Sequence, residues 1–141
     1  MRRLKFQTHA NFFSRARRPL QWCVAVYWIA LFVATHLPLG EEAFPSQVSD
    51  KSLHWIAYTG LAFLLCCWRE AIKRVTFRCL VQIVVLLAFY ASLEELLQIP
   101  IGRHADVRDG IADMGGSGCG ILLFAVVRAL CGRQGHQNDA K

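Results

Sequence analysis

Apolar and polar segments alternate along the chain. The apolar segments span residues 20–37, 52–68, 79–93 and 106 to about 130. A helix that crosses a membrane needs about 17–25 mainly apolar residues. The second and third segments reach this length only if residues 50–52 and 94–98 extend their helices. We therefore expect charged helix ends that lie at a membrane interface or inside a helix bundle.

The polar segments alternate in charge. Lys and Arg predominate before the first apolar segment, between the second and third, and after the fourth, whereas Asp and Glu predominate in the other two connections. Positive side chains are enriched on the cytoplasmic side of membrane proteins. The pattern therefore predicts an all-α fold, an integral membrane bundle of four transmembrane helices with both chain termini in the cytoplasm.

The composition agrees with this fold class. Of the 141 residues, 55% are hydrophobic and 18% are charged, whereas soluble domains average about 45–50% apolar and about 25% charged residues. The mean hydropathy is only +0.32 because the charges are concentrated in the tails and connections. We predict a basic cytoplasmic tail over residues 1–19, a single membrane domain over residues 20–131 and a flexible cytoplasmic tail over residues 132–141.

The net charge of +6 and the six cysteines do not change this picture. The basic residues flank the apolar segments and have no aromatic stacking platform beside them, so nucleic acid is not an expected partner. No cysteine falls in the two acidic connections, where an oxidising compartment would favour disulfides. No CxxC pair occurs either. We therefore expect no metal site and no cofactor.

Charged residues are crowded between the third and fourth apolar segments, in the stretch "SLEELLQIPIGRHADVRDG". Pro100 moves Ile99 away from the helical conformation, and Gly102 permits a turn. We therefore predict that the third helix ends near Gln98 and that the fourth begins near Asp106.

Polar residues share one face on the second and on the fourth helix. On the fourth, spacings of 3, 4, 3 and 4 align Asp106, Asp109, Asp113, Gly116 and Gly120. The second helix carries a matching stripe of Asp50, His54 and Tyr58, with Lys51 beside it. The two glycines would let another helix approach closely, so the aspartates on the same face should point into the bundle.

Acidic residues inside membrane helices are costly and usually have a function. A simpler reading is that Asp106 caps the fourth helix and that neighbouring acids favour its positive N-terminal end. This reading leaves Asp113, two turns further on, unexplained. It also leaves Glu94 and Glu95 unexplained, because the helix dipole opposes acids at a C-terminal end. We therefore predict a polar pocket at the outer end of the bundle.

Two motifs resemble the VanZ-like family of membrane proteins, which is named for a teicoplanin-resistance accessory protein. The first motif, "SDKSLHWIAYTGLAFLL", is similar to the family pattern D-K-x-x-H-x-x-x-Y and places Asp50, Lys51, His54 and Tyr58 in it. The second, "EELLQIPIGRHADVRDGIADMGGSGCG", is similar to E-x-x-Q followed by an Arg, two Asp, an Asn and two Gly. It is filled by Glu95, Gln98, Arg103, Asp106, Asp109, Gly116 and Gly120.

The chain departs from the family pattern at two positions. Asp113 stands where the family usually has Asn. The family usually has "PGR", whereas this chain has "IGR", and its proline, Pro100, lies one residue earlier. The resemblance covers about residues 35–130. It implies a small multi-pass protein of the bacterial plasma membrane, linked to the cell envelope and, in some members, to glycopeptide tolerance. It implies no established reaction.

Two functions are compatible with the predicted pocket. A binding protein would use Arg103, Arg108 and Lys51 to hold an anionic lipid, an envelope precursor or a glycopeptide-related ligand. The side chains that set its specificity would be Glu95, Gln98, Asp109 and His54, and the complete predicted site also contains Asp50, Tyr58, Asp106 and Asp113. Alternatively, an enzyme would use His54 with Asp50, or Glu94 with Glu95, as acid and base on a lipid-linked substrate. We favour the binding protein, and a homo-oligomer is compatible with either function.

Overall fold

The computed structural model describes residues 16–36, 50–101 and 107–137, and their regular secondary structure is entirely helical. The helices are α1 (Arg17–His36), α2 (Asp50–Ile72), α3 (Phe77–Gln98) and α4 (Val107–Gln137), with a 3-10 turn over Ile99–Ile101. The prediction of an all-helical chain with four long helices is thus confirmed.

The helix ends follow from local chemistry. α3 begins after Thr76, whose side-chain oxygen accepts a hydrogen bond from the backbone N–H of Cys79 at 3.4 Å. α3 ends at Gln98, directly before the turn that contains Pro100, as the sequence predicted. The expectation that Pro100 moves Ile99 out of the helical conformation was wrong, because Ile99 keeps right-handed helical angles (φ −57°, ψ −48°) and begins the 3-10 turn. The polar residues 50–52 and 94–98 belong to α2 and α3, as their lengths required.

α4 is longer than predicted. The fourth apolar segment runs to about residue 130, but the helix continues to Gln137. Once a helix has formed, each added residue gains a backbone hydrogen bond without a new nucleation step. Arg133 and Gln134 are also good helix formers, so a polar composition was a poor guide to where this helix ends.

Three helices are long and apolar enough to cross a membrane: α1, α3 and the part of α4 over Val107–Cys131. Their outer surfaces expose large apolar side chains such as Trp22, Phe89 and Ile111, each more than 60% exposed. Soluble monomers rarely expose apolar surface so extensively. These features indicate a lipid bilayer environment.

α2 is the central helix of the bundle. It contacts each of the other three helices, and Tyr58, Leu61, Ala62 and Cys66 on it are fully buried. Its surroundings are therefore mostly protein rather than lipid. This explains why a helix with His54, Thr59 and Gly60 in its sequence can occupy the same bundle as three more apolar helices.

α2 and α4 run in parallel and approach each other closely. Thr59 Oγ1 lies 2.8 Å from the carbonyl oxygen of Trp55 and 3.1 Å from that of Gly116, so its hydroxyl bridges the two helices. A Cβ atom on Gly116 would overlap the carbonyl oxygen of Trp55, and one on Gly120 would overlap that of Thr59. Glycine is thus required at both positions for this helix spacing.

The two ends of the bundle differ in charge. We call the end where α1 and α3 finish and α2 and α4 begin the acidic end, because Glu94, Asp109 and Asp113 lie there. At the opposite, basic end, Arg128 Nη1 on α4 lies 3.1 Å from the carbonyl oxygen of Val75 and 3.5 Å from Glu70 Oε2. Consecutive helices therefore run in opposite directions.

Candidate functional site

The polar stripes of α2 and α4 face each other at the acidic end. His54 Nδ1 lies 3.0 Å from Asp113 Oδ1, and both side chains are buried. One turn nearer the end of the bundle, Lys51 Nζ lies 3.5 Å from Asp109 Oδ1. The same face continues inward to Gly116 and Gly120. The close helix approach that the glycines allow is what brings these charged side chains together.

Ser117 anchors the inner edge of this face. Its side chain is fully buried, and its hydroxyl donates a hydrogen bond to the backbone carbonyl oxygen of Asp113 at 2.8 Å. Such a bond to the residue four positions earlier satisfies a buried hydroxyl within its own helix. Ser117 therefore has a packing role in this arrangement.

A second polar cluster surrounds Glu94 of α3, whose side chain is only 2% exposed. Tyr58 OH donates to Oε2 at 2.7 Å, and Tyr90 OH donates to Oε1 at the same distance. Thr35 Oγ1 donates to Oε1 at 3.0 Å. Both oxygens of a carboxyl group can accept hydrogen bonds, so three hydroxyl donors from three helices satisfy this buried side chain.

α2 connects the two clusters. His54 and Tyr58 lie one helical turn apart on α2, so one face of this helix contacts Asp113 and then Glu94. The Tyr58 and Tyr90 rings stack with their centroids 6.2 Å apart, and Trp28 contacts Tyr90 edge-on at 5.1 Å. Tyr58 and Tyr90 belong to the hydrophobic core and Trp28 packs against it, so the Glu94 cluster adjoins that core directly.

Two buried groups at this end have unused hydrogen-bonding capacity. Gln98 is 4% exposed, and no described residue accepts a hydrogen bond from its Nε2. Asp109 Oδ1 has an ion pair with Lys51 but receives no hydrogen bond from the described part of the chain. Leaving a buried polar group without a partner costs about 1–3 kcal/mol. Gln98 and Asp109 are therefore candidates for contact with a ligand.

The predicted site residues divide into three groups. The structure brings Lys51, His54, Tyr58, Asp109 and Asp113 to one end of the bundle, with Gln98 at the same end of α3. Arg103, Asp106 and the side chain of Asp50 lie outside the described residues. Glu95 is half-buried and Arg108 is exposed.

The predicted binding site omitted four side chains that the structure places at this end of the bundle: Thr35, Tyr90, Glu94 and Ser117. Glu94, rather than Glu95, makes the contacts with Tyr58 and Tyr90. Tyr90 could have been found, because it precedes Glu94 by four residues on the same helix face. Thr35 and Ser117 carried no signal in the sequence, since their partners depend on how the helices pack.

No cluster of three or more His, Cys, Asp or Glu side chains suited to a metal ion occurs in the part of the chain that the structure describes. The six cysteines are not joined by disulfides. The groups described at the acidic end offer hydrogen bonds, an ion pair and a histidine that can transfer a proton.

Neither a protein-family model, nor a curated protein, nor a solved structure matches this chain. The resemblance to the VanZ-like family therefore stays a prediction that rests on the two motifs.

Proposed function

We propose that the bundle crosses a bacterial plasma membrane four times, with α2 as the fourth span and the acidic end facing outward. The basic residues of the α2–α3 connection and Arg128 lie at one end, which supports this orientation by the positive-inside rule. Reporter fusions after Leu39, Lys73, Arg103 and Gly132 should read outside, inside, outside and inside. An outward signal after Gly132 would contradict the proposal.

We further propose that the acidic end binds an anionic ligand of the cell envelope, such as a polyprenyl-phosphate precursor or a glycopeptide-related molecule. The observation that carries this proposal is the pair of contacts Lys51–Asp109 and His54–Asp113, built into one helix interface, with Gln98 at the same end of the bundle. The His54–Asp113 pair is buried, and buried pairs of this kind add little stability compared with apolar packing. Their presence at one end of a membrane bundle therefore favours a function.

An anionic ligand is compatible with the acids at this end. Asp113 has His54 as its partner, Asp109 has Lys51, and Glu94 accepts three hydroxyl hydrogen bonds. An incoming phosphate or carboxylate would therefore meet carboxylates that are already compensated. In this proposal Arg103, which follows the break at Pro100, provides the bidentate grip that a guanidinium offers to such groups.

The test measures binding of two probes, a polyprenyl phosphate and teicoplanin, to the full-length protein purified in detergent. Arg103→Lys keeps the charge but loses the forked geometry, so it should weaken binding nearly as much as Arg103→Ala. Arg17→Ala at the opposite end is the control and should bind normally. Normal binding by Arg103→Lys would mean that Arg103 only neutralises nearby acids. Binding of neither probe by the unmodified chain would contradict the proposed ligand class.

A membrane-embedded enzyme is the second candidate, because His54 and Asp113 form the type of pair in which a carboxylate orients a general base. The two candidates differ in what His54→Gln does. In an enzyme, the variant would still bind the polyprenyl phosphate but would no longer release inorganic phosphate from it. In a binding protein, the unmodified chain releases no phosphate and His54→Gln weakens binding.

A further inference from the structure

A groove lies at the basic end of the bundle, far from the polar clusters of the acidic end. Its volume is about 500 Å³, and it runs between the start of α3 and residues 121–129 of α4. Phe77, Ile121 and Phe124 contribute apolar walls, whereas Arg74, Thr76 and Arg128 bring polar groups to the same groove. Such a combination of an apolar channel and a basic rim is typical of sites for anionic lipids.

The charge around the groove is strongly positive. The α2–α3 connection and its flanking turns carry Arg69, Lys73, Arg74 and Arg78, and Glu70 is the one acid among residues 69–78. The Glu70 carboxylate already accepts a hydrogen bond from the backbone N–H of Val75 at 2.6 Å. The groove is therefore complementary to a negatively charged head group.

Arg128 is held at the edge of the groove by several contacts. Its Nη1 donates to the carbonyl oxygen of Val75 at 3.1 Å and lies 3.5 Å from Glu70 Oε2, and its guanidinium carbon lies 6.0 Å from the centre of the Phe124 ring. A guanidinium has five N–H donors, so these contacts leave donors for a second acceptor. A side chain that is already ordered loses little conformational entropy when a ligand binds.

The apolar walls are accessible from the outside of the bundle. Phe77 is 82% exposed, and Ala125 beside the groove is also exposed. In a membrane, acyl chains would contact these residues, and the basic rim would lie near the head groups. This setting distinguishes the groove from a site for a soluble anion, which would not use apolar walls.

We propose that this groove binds an anionic phospholipid of the inner leaflet, with its phosphate at Arg74 and Arg128 and an acyl chain along Phe77 and Ile121. The inference rests on the proposed membrane position of the bundle, but not on the ligand of the acidic end. The lipid would connect α3 to α4 at the basic end, which the polar clusters of the acidic end do not reach.

The test presents the detergent-purified full-length protein with equal amounts of phosphatidylglycerol and phosphatidylcholine and counts retained lipids by native mass spectrometry. One basic residue near a membrane surface changes affinity for anionic lipid by about fivefold. Arg74→Gln should therefore lower phosphatidylglycerol retention by about fivefold. Arg18 is an exposed arginine at the start of α1, at the same basic end of the bundle. Arg18→Gln should leave phosphatidylglycerol retention unchanged.

A second variant tests the apolar part of the groove. Ala125→Trp keeps every charge but fills the groove from an exposed position, so it should also reduce phosphatidylglycerol retention. Equal retention of the two lipids by the unmodified protein would overturn the proposal. Equal losses for Arg74→Gln and Arg18→Gln would do the same, because they would show attraction by surface charge alone. Neither variant should alter binding of polyprenyl phosphate or teicoplanin at the acidic end.

Discussion

His54 Nδ1 on α2 lies 3.0 Å from Asp113 Oδ1 on α4, and the two side chains are 7% and 1% exposed. Removing one member of a buried pair costs about 3–5 kcal/mol because the other is left without compensation. Asp113→Ala should therefore lower the free energy of unfolding by about 3 kcal/mol. Asp113→Asn keeps an oxygen that can accept a hydrogen bond from His54, so it should lower the free energy of unfolding by clearly less.

A double-mutant cycle isolates this contact from other effects of the substitutions. His54→Ala and Asp113→Ala should show a coupling of about 1–3 kcal/mol in unfolding free energy, measured in mixed detergent. Additive effects of the two substitutions would show that the contact contributes nothing to stability.

The hydroxyl groups around Glu94 give a second prediction. Leaving a buried acceptor without its donor costs about 1–3 kcal/mol, whereas a partly buried acceptor can bond to solvent instead. Tyr58→Phe and Tyr90→Phe should therefore destabilise the bundle more than Tyr27→Phe, whose hydroxyl donates to the backbone carbonyl oxygen of Ala57. Thermal unfolding of the three variants gives the order, and a larger effect of Tyr27→Phe would contradict the role given to Glu94.

Glycine spacing on α4 gives a third prediction with a control on the same helix. Gly116→Ala would place a methyl group against the backbone of Trp55 and force α2 and α4 apart, at a cost of about 1–3 kcal/mol. Gly118→Ala meets no atom within 4 Å of its Cβ and should be neutral, or stabilising by up to about 1 kcal/mol through helix propensity. Similar thermal stabilities of the two variants would mean that the helix contact is not close.

Helix positions and the facing stripes of α2 and α4 were accessible from the sequence. Pro100 has no backbone N–H to continue the helix, so the end of α3 at Gln98 could be predicted without the fold. The regular spacing of His54 and Tyr58, and of Asp109 and Asp113, shows which residues share a helix face. The sequence predicted one site that uses both stripes, but the pairing of Lys51 with Asp109 and of His54 with Asp113 became visible only in the structure.

The choice between Glu94 and Glu95 could not be made from the sequence. Adjacent helix residues point about 100° apart, and either one would look equally plausible beside Gln98. The answer depends on how α1 and α2 pack against α3, because Thr35 and Tyr58 provide the hydrogen bonds to Glu94. The central position of α2 was likewise set by packing rather than by its own composition.

The central claim, that the acidic end holds a ligand-binding site, is tested most directly at Gln98. Gln98→Leu removes a buried amide whose Nε2 has no acceptor among the described residues, so the unfolding temperature should stay the same or rise. If the amide donates a hydrogen bond to the ligand, affinity for polyprenyl phosphate or teicoplanin should fall by about tenfold. This is the loss expected for a hydrogen bond to a charged group. Gln82→Leu, at an exposed position of the same helix, should change neither quantity. Unchanged affinity for both probes in Gln98→Leu, or a loss of affinity that only follows a loss of stability, would contradict the account.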